Sequence, residues 1–130
     1  MASWSTDEAR RLIAPEEVHV VTRRRDGSLR RPRIIWIVSD GDRDGDTNRV
    51  FIRSTNGRGA DWFRWATATG AGQIIASGRT HDVSFTEVTD EQDLRAADAA
   101  YRAKYGHYPS IVDHLEEDGP RSATLEVTPA

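Results

Sequence analysis

Arg53, Ser54, Gly57 and Arg58 fall close together in residues 50–66, VFIRSTNGRGADWFRWA. A short strand delivering an arginine and a serine to a glycine-bracketed turn, with a helix opening near Ala60, has the makings of an anion cradle. The first N–H groups of a helix have no partner inside it, and the helix dipole is positive at that end. Glycines let a ligand approach the backbone, and a guanidinium can hold two phosphate oxygens at once. An ordinary strand–turn–helix with solvated arginines fits the same letters, so both readings stand at this point.

Other chemistries are poorly served. The chain has no cysteine, which excludes disulfides, thiolate zinc sites and thiol nucleophiles. Ser54 has no base partner legible in the sequence. His19, His81, His107 and His114 show neither H-x-H nor H-E-x-x-H spacing, so no metal site is expected of them. Glu116, Glu117 and Asp118, beside Gly119 and Pro120, read as a solvated loop rather than an acid–base dyad. Residues 40–48 match most of a calcium-loop pattern. Phe51, however, stands where the bidentate glutamate belongs, and strands flank the run; a polar hairpin loop is the expectation.

The aromatic residues offer more. Trp36 sits inside an apolar run, and Trp62 and Trp65 share one helix face, either as core or as walls for a planar ligand. Tyr101, Lys104 and Tyr105 form a second polar–aromatic group, where a lysine would ordinarily mark the solvated edge of its helix.

The elements that must position these residues fit one domain, 1–130, long enough for a single core. The sequence shows no long apolar run and no signal pattern, so a soluble, cytoplasmic protein without a membrane partner is expected. The net charge is −3, yet between Arg23 and Arg64 there are 11 arginines against 6 aspartates. That balance of +5, flanked by acidic ends, suits a localised anion site better than a nucleic-acid surface.

The pattern reads in order as follows. A short helix is capped by the cluster Ser5-Thr6-Asp7-Glu8 and stopped by Pro15, and a strand follows over 18–22. A hairpin turn at Asp26-Gly27 leads to a second strand over 29–39, with Pro32 at an edge or bulge and 34–38 buried on both faces. A third strand covers 50–53, and a helix from about Ala60 is closed by the glycines of TATGAG. Strands over 73–76 and 79–88 turn at Ser77-Gly78. A helix spans 91 to about 105, a short helical turn 109–115, and a last strand 122–128. Six strands joined mostly by hairpins, with helices inserted after the third and before the sixth, give a mainly β (α+β) antiparallel barrel with peripheral helices.

The array RDGSLRRPRIIWIV, FIRSTNGRGADWFRWATATGAGQI, HDVSFTEV and DAAYRAKYG resembles a bacterial family catalogued as domain of unknown function 2255, over nearly the whole chain. That family looks like a branch of the flavin-nucleotide-binding split β-barrels. Its segments R-x-x-G…R-P…W and R-S…G-R-x-x-x-W-x-R are similar to those of deazaflavin-dependent, nitroreductase-like proteins. The resemblance implies a six-stranded split barrel in which Arg53, Ser54, Gly57 and Arg58 hold the phosphate of FMN or the deazaflavin coenzyme. Arg33 and Trp36 would line the ring side with Trp62 nearby, and a homodimer would place the coenzyme at its interface. Trp65 stands where the deazaflavin relatives usually carry asparagine.

The expectation is therefore a flavin- or deazaflavin-dependent oxidoreductase acting on a small organic molecule, with Trp65, Tyr101, Lys104 and Tyr105 around the substrate. The alternative is a cofactor-free small-molecule barrel, or a cyclase or isomerase, with Trp36, Arg53, Trp62 and Tyr101 shaping its pocket. A calcium-steadied or structural module resting on residues 40–46 is the third reading.

Overall fold

The computed structural model describes residues 3–40 and 48–130, so most of the candidate calcium loop falls outside the described residues. Seven strands, β1 (Val18–Thr22), β2 (Arg33–Ile35), β3 (Ile37–Ser39), β4 (Val50–Arg53), β5 (Ala71–Ala76), β6 (Arg79–Glu87) and β7 (Thr124–Pro129), form one antiparallel sheet. Their order is β2-β1-β5-β6-β7-β4-β3. β2 and β3 stand at opposite ends of that order, yet only Trp36 separates them in sequence. Residues 33–39 therefore begin paired with β1 and finish paired with β4, nearly closing the sheet into a barrel. This accounts for seven strands where the sequence pattern suggests six: the expected second strand changes partner at Trp36.

Local chemistry sets the remaining elements. Ser5 and Glu8 make a reciprocal capping box on α1 (Thr6–Ile13), and the Trp4 indole donates to the Val127 carbonyl at 2.7 Å. Asp26 accepts the Ser28 amide, with Gly27 at φ +89° in the tight turn. Gly72 is where β5 lies against both β1 and β6. A Cβ there would sit 2.2 Å from the Val21 carbonyl oxygen and 2.7 Å from the Phe85 ring.

The β4 side chains divide the interior into two cores. Val50 and Ile52 point into the barrel with Leu12, Ile37, Phe63, Ile74 and Leu125. Phe51 faces outward into a second cluster with Val38, Tyr101, Tyr105 and Leu115, beneath α3 (Glu91–Tyr105) and α4 (Pro109–Leu115). Burial on both faces explains why β4 can carry a buried arginine at its end. α2 (Asp61–Thr69) adds Phe63 and Ala66 to the barrel core and stops at left-handed Gly70.

Two sequence expectations are corrected. Ile34 was expected to be buried with its run, but it is 63% exposed. β2 pairs with β1 alone, and Ile34 lies on its outer side at the seam. Residues 118–121, expected within a solvated loop, form a short helix, α5 (Asp118–Arg121), whose Pro120 is buried.

Candidate functional site

The seam between β2 and α2 contains a cavity of about 240 Å³. Its apolar walls come from Ile34, Ile35 and Trp36 on the seam strand, Trp62 on α2, and Ile111 and Leu115 on α4. Glu17, Arg53, Thr55 and Tyr101 supply its polar lining. Trp36 is held by stacking on Tyr105, with ring centroids 3.9 Å apart and planes 2° from parallel. The Tyr105 hydroxyl is fixed in turn by donating to the Glu16 carbonyl at 2.6 Å. A buried phenol anchored at both ring and hydroxyl makes Trp36 a rigid wall.

One helical turn along α2, Trp65 faces a second pocket together with Arg24, Arg30, Arg31 and Arg33. The Arg30 guanidinium lies 4.1 Å from the centre of the Trp65 ring and that of Arg33 5.5 Å away, the geometry of cation–π contacts. Arg24 is steadied by the Leu29 carbonyl and the Ser28 hydroxyl. Among the described residues, no ion pair joins any of these four arginines to a carboxylate, and the Arg30 Nε is buried without a hydrogen-bond partner. Arg33 is next to Ile34 on β2, and Trp65 is three residues from Trp62 on α2. The aromatic cavity and the basic pocket thus adjoin along one seam.

Arg53, expected at a phosphate, is wholly buried and already occupied. Its Nε donates to the Thr124 hydroxyl at 2.8 Å. Nη1 donates to Asp98 at 2.6 Å and to the Leu115 carbonyl at 3.0 Å. Nη2 reaches the Leu94 carbonyl at 3.4 Å. Four of the five guanidinium N–H groups are thus engaged by the protein, and the side chain has no exposure to solvent.

The rest of the expected cradle is similarly committed. Arg58 pairs with Glu87 and donates to the Ser122 carbonyl, both at 2.7 Å. Gly57 has φ +73°, and its absent Cβ would come within 3.4 Å of the Gly119 carbonyl oxygen; α5 packs against it. Asp61 occupies the first turn of α2 and pairs with Arg64. Ser54 is buried, and its hydroxyl has no partner among the described residues.

The expected substrate group is not brought together in one place. Tyr101 lines the aromatic cavity and Trp65 the basic pocket. Tyr105 lies behind Trp36. Lys104 lines a separate cavity with Ile13, Val38 and the alanines of α3. Its amine donates to the Ile37 and Pro15 carbonyls at 2.7 and 2.9 Å, and burial pulls its pKa down to about 8, against a smaller opposing pull from Glu16. Burial likewise pushes the Tyr101 phenol well above the usual tyrosine value, reinforced by Tyr105 and opposed by Arg53, so it keeps its proton. The sequence reading did not single out Arg24, Arg30, Arg31, Asp98 and Thr124. Only the run RRRDGSLRRPR carried a signal for the first three, as local charge density.

The model of a family described as "Uncharacterized protein conserved in bacteria (DUF2255)" matches residues 8–127. No curated protein is similar enough to count as a relative. Among solved structures, an F420-H2 dependent reductase superposes with a TM-score of 0.60 at 14% identity, covering 86% of this chain and 93% of its own. A conserved hypothetical protein from Mycobacterium tuberculosis gives 0.58 at 11% identity, covering 99% and 81%. A Listeria innocua protein provisionally named a pyridoxamine 5'-phosphate oxidase gives 0.55 at 10%, covering 92% and 86%. At these identities the shared feature is the fold alone.

Proposed function

We propose that this chain, which belongs to the bacterial family DUF2255, is a flavin- or deazaflavin-dependent oxidoreductase that reduces or oxidises a small organic molecule in the β2–α2 seam. The observation that carries this reading is the junction of an aromatic cavity with a cluster of four arginines that has no counter-ion among the described residues. Like charges packed together repel, and a bound anion relieves that repulsion. The buried Arg30 Nε is a donor without an acceptor among the described residues, a costly state that a phosphate oxygen would end. These residues fit a phosphate-bearing coenzyme, whereas Arg53 has spent four of its five donors on the protein and Arg58 is held by Glu87 and the Ser122 carbonyl.

In this reading Arg24, Arg30, Arg31 and Arg33 hold the phosphate end, and Ile34, Trp36 and Trp62 hold the ring. Such a coenzyme supplies hydride transfer when bound. The chain's own part is to orient the substrate and keep water out, which the rigid Trp36–Tyr105 stack and the apolar walls serve. The proposal also takes the working form to be a cytoplasmic homodimer, with exposed Ile34 and Ile111 at the mouth of the cavity covered by the second copy. No described helix is long and apolar enough to cross a membrane.

Tryptophan fluorescence titration with FMN and with F420 tests the proposal. Trp36, Trp62 and Trp65 all line the seam, so saturable quenching by one coenzyme is expected. A saturable response to neither would overturn the reading in favour of a cofactor-free binding barrel.

A further inference from the structure

A larger cavity, of about 520 Å³, lies away from the seam between α1, β3 and α3. Ile13 and Val38 close its sides, and Ala96, Ala99, Ala100 and Ala103 lay an apolar floor along about two turns of α3. Lys104, the single lysine of the chain, also lines it and is half-buried, neither sealed off nor freely solvated. The amine donates to the Ile37 and Pro15 carbonyls at 2.7 and 2.9 Å. Ile37 precedes Val38 and Pro15 is two residues from Ile13, which places Nζ at the cavity wall. Both acceptors are uncharged, and among the described residues no carboxylate pairs with this amine. A neutral amine has two hydrogens for two carbonyls, so it stays held while its lone pair is left for a reagent. Burial favours that neutral form, against a smaller opposing pull from Glu16.

We infer that this cavity is a covalent site for an uncharged aliphatic aldehyde, which the Lys104 amine captures as an imine. The site is separate from the seam, and the inference does not depend on the coenzyme reading. The Nζ lone pair attacks the carbonyl carbon, forming the C–N bond while the C=O π pair moves to oxygen. The carbinolamine then expels that oxygen as water, and the nitrogen lone pair completes the C=N bond. One amine, one aldehyde and one proton give one water and one protonated imine, with nothing oxidised or reduced. The protonated imine keeps one N–H, enough for the Ile37 carbonyl, the nearer of the two acceptors. A desolvated lysine is a group suited to carbonyl capture. The isoleucine, valine and alanine walls favour an aliphatic chain. An anionic electrophile, such as a keto acid or an acyl phosphate, is disfavoured because Asp40 also lines the cavity and the charge of Glu16 reaches the amine. The volume exceeds the roughly 150 Å³ that accepts benzene, so a six-carbon chain has room.

The test exposes the full chain to hexanal or acetaldehyde with cyanoborohydride, which reduces the imine to a stable secondary amine. Modification is read on the Lys104 peptide by mass spectrometry. Each rate is divided by that of the same aldehyde with Nα-acetyl-lysine, so differences in intrinsic reactivity cancel. Near neutral pH, Lys104 should react about 10-fold faster than that free lysine or more, because far more of its amine is neutral. Hexanal should outpace acetaldehyde by a further factor of about 10, the scale of partly burying four extra methylenes. Ala99→Leu, at an exposed position on α3, should fill the cavity and shrink the hexanal advantage. A normalised hexanal rate no higher than that of acetaldehyde would overturn the inference. Lys104 reacting no faster than the free lysine, or a hexanal advantage that survives Ala99→Leu, would do the same. The ratio of the two aldehydes on the unaltered chain decides even if the variant does not fold.

Discussion

Arg53 at the end of β4 and Asp98 in the middle of α3 form an ion pair at 2.6 Å in which the arginine side chain is fully excluded from water. Asp98 also receives the Arg121 Nε at 3.0 Å, so one carboxylate ties the strand, α3 and the end of α5 together. Taking one member away strands a buried charge, a loss of about 3–5 kcal/mol, whereas replacing both with apolar groups is often near neutral. Asp98→Ala is therefore expected to lower urea stability by about 3 kcal/mol, and Arg53→Met with Asp98→Leu to cost less than that single change. A cost below about 1 kcal/mol for Asp98→Ala would mean that Arg53 is not held as described.

The arginine cluster predicts a division of labour by phosphate. Arg30→Ala and Arg33→Ala should each weaken FMN binding by about 1.5–3 kcal/mol, the scale of a charge-assisted hydrogen bond. Both should leave riboflavin, which lacks the phosphate, nearly unaffected. Arg58→Ala should change neither, because its guanidinium is engaged by Glu87 and Ser122. Isothermal titration of the three variants checks this, and the reverse pattern would return the phosphate to the turn at Gly57.

The contrast between Arg53 and Arg33 shows what a sequence can carry. Signals acting over a few residues were legible: the Ser5–Glu8 box, the Asp26-Gly27 turn, the Asp90 cap and Pro109 opening α4 all stand where their chemistry requires. The barrel class followed from hairpin spacing. Arg53 stood out as a phosphate ligand because its neighbours are a serine and glycines, while the partners that claim it, Asp98 and Thr124, lie 45 and 71 residues away. The split at Trp36 was hidden for a related reason: an apolar run reports burial but not the strand on either side. Trp62 and Trp65 line adjoining pockets, and which arginines meet Trp65 depends on β2 docking beside α2.

Lys104 is the single lysine, and its environment makes it unusually acidic. Burial lowers its pKa to about 8 from 10.5, and a neutral amine still has two hydrogens for its two carbonyl acceptors. The lone pair becomes free at mildly alkaline pH with no bond lost. Labelling by an amine-reactive ester, read on the Lys104 peptide by mass spectrometry, should rise with a midpoint near pH 8. The unfolded chain retains this proton to higher pH, so stability should increase as pH rises from about 8 towards 10.5. Lys104→Met should abolish that rise, and a labelling midpoint near 10.5 would contradict the burial.

His114 on α4 makes the opposite prediction about pH. Its Nε2 lies 2.7 Å from the Thr55 carbonyl and its Nδ1 2.7 Å from Glu117; only the imidazolium can donate to both at once. The Thr55 carbonyl first, and Glu117 second, raise its pKa above the ordinary 6.5. A group with a raised folded pKa contributes fully below its unfolded value, and the contribution fades as pH climbs through the folded one. Thr55, Ile111 and Leu115 all line the aromatic cavity, so the clasp joins two of its walls. The His114 ring proton should titrate above pH 6.5 by NMR. α4 amides should lose protection over the same interval beyond the intrinsic rise in exchange, and His114→Gln should remove that pH dependence. A midpoint below 6.5 would show that the imidazole binds Thr55 or Glu117 but not both.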